Sequence, residues 1–234
     1  MGLADKTRPF LAYLDDWYEH LQNISLADII SDQPERVALF SIDMVNGFCK
    51  EGPLAGPRVN ALIAPVVAVF QRAYELGVRA FVLAQDTHDP DTPEFQAYPP
   101  HCVAGTNESQ TVSEIRDLPF ADAMTVVEKN SISPDIGTNL NEWMQQHHQI
   151  STFILVGDCT DLCVYTAAMV LRFQANAHNL QRRVIVPAMA VDTFDTPVSV
   201  ARQAGILAHD GDLHHVLFLH HMALNGVEVV ARIV

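Results

Sequence analysis

The chain has 234 residues, 49% of them hydrophobic and 18% charged, which suits one α/β domain with a sizeable core. A formal net charge of −14 argues against phosphate backbones and anionic membranes as partners and leaves a small neutral or cationic molecule. No apolar run approaches the ~20 residues of a membrane helix, and the start (Lys6, Arg8, Pro9) lacks a signal-peptide core, so the expected location is cytosolic.

Residues 1–35 read as a helical extension. Phe10, Tyr13, Leu14, Trp17 and Leu21 recur at helical spacing, and this face is expected to cover the domain or a neighbouring subunit of a homo-oligomer. Residues 36–234 read as one domain, because no repeat, low-complexity tract or polar linker interrupts them. Short apolar runs at 37–42, 79–85, 125–129, 152–157, 182–187 and 227–233 predict six strands. Longer patterns predict helices at 59–76 (stopped by Gly77), 138–147, 162–178, 198–209 and 214–224. Continuous β-branched strands separated by helices imply a three-layer α/β/α fold around a mainly parallel sheet. In such sheets ligands bind beyond the carboxyl ends of the strands.

The polar residues at those strand ends are Asp43, Asp86, Lys129 and the run Asp158 to Cys163. Taken singly, Asp43 reads as a turn cap, Lys129 as a surface lysine and Cys163 as a buried thiol. Together they supply the parts of a nucleophilic site. Cys163 falls at the first turn of a predicted helix, where the helix dipole and a lysine ammonium favour the thiolate. Asp43 is then a proton acceptor for the thiol and later an acid for a leaving amine.

The four cysteines, Cys49, Cys102, Cys159 and Cys163, are too few for a disulfide framework in a chain of this length. The Cys159/Cys163 spacing also departs from the CxxC of structural zinc sites. The loop QDTHDPDTPEFQAYPPHCVAGT is more suggestive of a metal, with Asp86, His88, Glu94 and His101. Two imidazoles and two carboxylates suit zinc, iron or manganese. The residues alone leave two readings, an ion site or an acidic loop that happens to hold two histidines. His147, His148, His214, His215, His220 and His221 lie on predicted helices and read as structural.

The segments SIDMVNGF, VEKNSISPDIGTNL and GDCTDLCV, in this order and at these strand ends, resemble the isochorismatase-like cysteine hydrolases. Within that family they are most similar to the nicotinamidases. The resemblance runs from about Val37 to the C-terminus. It implies an Asp43–Lys129–Cys163 triad and a cis peptide between Asp158 and Cys159. It also implies an oxyanion hole formed by the backbone N–H groups of Cys159 and Cys163.

For the loop, the resemblance implies that Asp86, His88, Glu94 and His101 bind a divalent transition metal. The metal orients a pyridine ring between Phe48 and Tyr98 while the cysteine does the chemistry. The implied reaction is hydrolysis of nicotinamide to nicotinic acid and ammonia, with another small amide or carbamoyl compound as the alternative. The chain departs from the family pattern at Val45 and Gly47 (often Gln and Asp), at Thr87 (usually Trp) and at Asp135 (an aromatic).

Overall fold

The computed structural model describes residues 2–234. Seven strands form one sheet in which every pairing is parallel: β1 Val37–Ile42, β2 Ala80–Asp86, β3 Thr125–Lys129, β4 Thr152–Asp158, β5 Arg183–Pro187, β6 Val191–Asp192 and β7 Glu228–Val230. Their order is β3-β2-β1-β4-β5-β7, with β6 beside the end of β4. The six expected strands are all present. The seventh, β6, has only two residues, too few to leave an alternating or β-branched pattern in the sequence.

Strand periodicity divides the core. Val37 and Leu39 of β1 face the layer of helix α1 (Ile63–Glu75), where Val66, Phe70 and Ala73 are buried. Ala38, Phe40 and Ile42 face the opposite layer, with helix α2 (Leu140–Gln146), helix α3 (Cys163–Ala177) and helix α4 (Gly211–Leu224). Phe40 meets Trp143 and Phe153 edge-on there. Both faces of the central strands β1 and β4 are thus buried, which explains their apolar residues at nearly every position, whereas the edge strand β3 keeps Val126 and Glu128 exposed.

Helix boundaries differ from the expectation where local chemistry intervenes. The predicted 59–76 helix is two pieces, a turn at Pro57–Asn60 and then α1. The predicted 198–209 helix stops at Ala204, where Gly205 takes a left-handed cap (φ 69°). Helix α4 starts early, at Gly211, because the Asp210 side chain accepts a hydrogen bond from the Leu213 N–H at 3.0 Å.

The N-terminal residues form a helix, Leu3–Glu19. It rests on α4, where the His220 ring lies edge-on to Phe10, Tyr13 and Trp17 at 5.7, 5.6 and 5.1 Å. None of the helices described is long and apolar enough to cross a membrane.

The chain leaves β1 for β2 and β3 on one side, then returns to place β4 on the other side of β1. The ends of β1 and β4 therefore flank the topological switch point. Gly157 keeps them close: a Cβ there would lie 2.0 Å from the Ile42 carbonyl oxygen.

Candidate active site

Four neighbouring strand ends deliver the polar centre. Asp43 follows β1 with a left-handed backbone (φ 53°), held by its N–H donating to the Ala84 carbonyl at 2.8 Å. Asp86 ends β2, Lys129 ends β3, and the β2–β3 register sets these two side by side. Cys163 opens α3 after the tight turn that follows β4.

Lys129 is the hub. Its buried ammonium lies 2.8 Å from Asp43 Oδ2 and 3.5 Å from Cys163 Sγ, and it donates to Asp86 Oδ1. Asp43 Oδ1 accepts from the Asp86 N–H at 2.7 Å. Asp43, Asp86 and Cys163 bring their polar atoms within 4.8 Å of one another.

Burial penalises every charge here, and one cation shared by two carboxylates decides which charges survive. Asp86, next to Lys129, His101 and His88, is held well below the usual carboxylate range despite its burial. Lys129 is pushed well above the usual lysine value, because Asp43 and Asp86 together outweigh its desolvation. Burial, and then the charge of Asp86, raise Asp43 to about 6 against the pull of Lys129.

At Cys163 two influences oppose each other. Lys129 favours the thiolate, as expected, while burial, the larger influence, pushes the thiol well above its ordinary value.

The Asp158–Cys159 peptide is cis. The Cys159 carbonyl accepts from the N–H groups of Leu162 and Val164, both at 3.1 Å, which tightens the turn. The N–H groups of Cys159 and Cys163 themselves have no protein acceptor among the described residues.

This arrangement lies inside a recognisable domain: residues 37–230 match the isochorismatase domain. The chain belongs to the isochorismatase family. It is 32% identical to Nicotinamidase 1 of Arabidopsis thaliana over 223 residues, covering 88% of this chain and 89% of the plant protein. The solved nicotinamidase of Bacillus subtilis aligns with 83% of this chain and 99% of its own, at 26% identity and a TM-score of 0.66. The N-carbamoylsarcosine amidase of Thermoplasma acidophilum aligns with 83% and 95%, at 27% identity and a TM-score of 0.64.

In this isochorismatase-family chain a second polar group shares Asp86 with the first. His88 Nε2 lies 3.4 Å, and His101 Nε2 3.8 Å, from the other carboxylate oxygen, Oδ2. The ligand atoms of Asp86, His88 and His101 fall within 4.8 Å of one another, and all three side chains are buried. Glu94 stands at the edge, its Oε1 3.9 Å from His88 Nε2.

Both rings are oriented from behind. His101 Nδ1 donates to the Pro99 carbonyl at 2.8 Å, and His88 Nδ1 faces the Asn130 side-chain oxygen at 3.2 Å. That leaves both Nε2 atoms pointing inward, and His88 Nε2 is buried without a hydrogen-bond partner. An orphaned imidazole nitrogen beside a carboxylate and a second imidazole fits a divalent transition metal. Phe48 and Tyr98 flank His101, with ring centroids 5.4 and 6.2 Å from it.

Asn130 and the Pro99 carbonyl were not anticipated. Asn130 had a readable signal, since it directly follows Lys129, whereas a carbonyl has none. The departure at Gly47 has a steric cause: a Cβ there would lie 2.5 Å from Cys102 Sγ and 3.1 Å from the Glu108 carbonyl. Val45 is fully buried, and Asp135 accepts a hydrogen bond from Ser133.

Proposed function

We propose that this isochorismatase-family protein is a cysteine amidohydrolase converting nicotinamide to nicotinic acid and ammonia. The observation that carries the reading is the divided role of Asp86, which joins the Lys129–Asp43–Cys163 group to the His88–His101 pair through its two oxygens. Nucleophile and ring-binding group are thereby held in one fixed relation. The similarity to nicotinamidases over most of the chain supports the same substrate.

In this mechanism Asp43, raised to about 6, takes the proton of Cys163 as the sulfur attacks the carboxamide carbon. The Lys129 ammonium, 3.5 Å from the sulfur, stabilises the negative charge as it forms. The free N–H groups of Cys159 and Cys163 donate to the oxyanion. Asp43 returns its proton to the nitrogen, ammonia leaves, and a thioester remains. Asp43 then takes a proton from water as that water attacks the thioester carbon. Collapse breaks the carbon–sulfur bond and releases nicotinic acid, and Asp43 returns its proton to the departing sulfur, restoring the Cys163 thiol and its own carboxylate.

Asp86, His88 and His101, with Glu94 at the edge, would hold a zinc, iron or manganese ion. When bound, it supplies an open coordination position for the pyridine nitrogen. Phe48 and Tyr98 bound the ring. The similarity to an N-carbamoylsarcosine amidase favours, as a second reading, another small amide or carbamoyl compound. An ammonia-release assay over nicotinamide, pyrazinamide, benzamide, an N-carbamoyl amino acid and isochorismate decides. Preference for the two ring-nitrogen amides supports nicotinamide, and preference for the carbamoyl compound overturns it.

A further inference from the structure

We propose that the N-terminal helix is part of the catalytic apparatus, through a relay in which Tyr18 positions the nucleophile turn by way of His215 and Thr160. Resting on the cysteine amidohydrolase reading, it assigns a function to a segment that lies outside the isochorismatase domain match.

Thr160 sits in the turn between Cys159 and Cys163 and is fully buried. Its N–H donates to the Asp192 carbonyl at 2.9 Å, and its hydroxyl meets His215 Nδ1 at 2.9 Å. The other ring nitrogen, Nε2, lies 3.2 Å from the Tyr18 hydroxyl, with the two rings edge-on at 5.7 Å. Burial lowers the proton affinity of His215 although Asp192, Asp212 and Asp161 oppose this. A neutral imidazole donates from one nitrogen and accepts at the other, so in either tautomer it can bond Tyr18 and Thr160 at once.

The anchoring of the helix makes this restraint usable. His220, on the same helix as His215, sits against Phe10, Tyr13 and Trp17, and Leu14 is buried. The Tyr18 hydroxyl is therefore presented from a packed element. Fixing the Thr160 side chain fixes the turn that carries the Cys159 N–H on one side and Cys163 on the other. Tyr18, His215 and Thr160 are positioning residues, since none of them touches the reacting atoms in this scheme.

The test uses the full-length protein with His215 intact. Tyr18→Phe removes one hydroxyl and keeps the ring, so it should lower kcat by about 3- to 10-fold with KM within about twofold and the melting temperature unchanged. Thr160→Val should cost about 10- to 100-fold in kcat, and Thr160→Ser, which restores a hydroxyl, should recover most of it. The double variant Tyr18→Phe/Thr160→Val should be no slower than Thr160→Val, because both cut one chain.

Multiplicative losses in the double variant, or a Thr160→Ser no better than Thr160→Val, would overturn the relay. Iodoacetamide labelling of Cys163, located by mass spectrometry, gives a readout independent of substrate and should shift several-fold in Tyr18→Phe. A wild-type protein that cleaves none of the amides would sink the functional reading alone, and the labelling rates would still decide the relay. Unchanged labelling in Tyr18→Phe and Thr160→Val overturns it.

Discussion

Two histidine pairs each stand beside a carboxylate, and only one converges its ring nitrogens on a single point. His88 and His101 stand at 71° to each other and aim Nε2 at one oxygen of Asp86, with each Nδ1 occupied from behind. His209 and His214 lie nearly parallel, 4.0 Å apart and inclined by 20°. His209 is engaged at both nitrogens, with the Phe194 carbonyl at 2.9 Å and Asp161 Oδ2 at 2.7 Å. Ring-plane lone pairs on stacked imidazoles cannot converge on one ion, although Asp161, His209 and His214 also bring ligand atoms within 4.8 Å of one another. Composition and proximity are the same for both groups. What separates them is whether nitrogen lone pairs are left unengaged and convergent.

The first way to break this comparison concerns where the chemistry resides. Cys163→Ala should leave both histidine pairs in place, and any metal content found by elemental analysis unchanged, while turnover falls by at least ~10⁴-fold, the scale seen when a nucleophile is removed. Substantial ammonia release by the purified variant would move the reaction to the His88–His101 site, with metal-bound water as nucleophile. Next in size, Asp43→Asn and Lys129→Ala should each lower kcat by at least ~100-fold. Near-normal rates in both would mean that their burial around Cys163 is structural.

The comparison itself is sharpened by His101→Ala beside His214→Ala. His101→Ala should deplete the metal found by elemental analysis and raise KM for nicotinamide on the order of 10- to 100-fold, with the labelling rate of Cys163 within about twofold. His214→Ala should change none of these. In the wild type, benzamide, which lacks the ring nitrogen, should be a far poorer substrate than nicotinamide. A metal-free active protein, or equal rates on both amides, would remove the distinction between the pairs and favour the other-amide reading.

The difference between the pairs also marks what a sequence can convey. The placement of Asp43, Lys129 and Cys163 together was legible because Asp43 directly follows β1, Lys129 ends β3 and Cys163 follows the turn after β4, and a parallel sheet gathers such positions at one edge. The position of Asp86 at the same edge was legible, but its contact with Lys129 was not. That contact depends on β2 lying between β1 and β3 with Asp86 in register with Lys129. The helix start and the lysine beside Cys163 can be read locally, whereas the burial that opposes them is a property of the whole packed centre. Gly205 could have shortened its helix on inspection, since glycine is a common helix stop. Nothing local joins Tyr18 to His215, which lie 197 residues apart in the chain.

The smallest expected effect is the most direct test of the stacked pair. If His214 contributes only a flat ring against His209, His214→Phe keeps the stack and loses only the contact of Nδ1 with the Asp210 carbonyl at 2.7 Å. That contact is exposed, so its loss should change stability by less than ~0.5 kcal/mol. Phenylalanine already serves as a stacking partner here, because Phe194 covers the other neighbour contact of His209 at 3.9 Å and 17°. The His209–Asp161 bond, and the Thr193 hydroxyl that donates to Asp161 at 2.6 Å, should then survive with the turn intact. Urea unfolding and kcat for His214→Phe should both match the wild type. A loss above ~2 kcal/mol, or a fall in kcat with stability preserved, would show that the second nitrogen of His214 has a role that stacking does not supply.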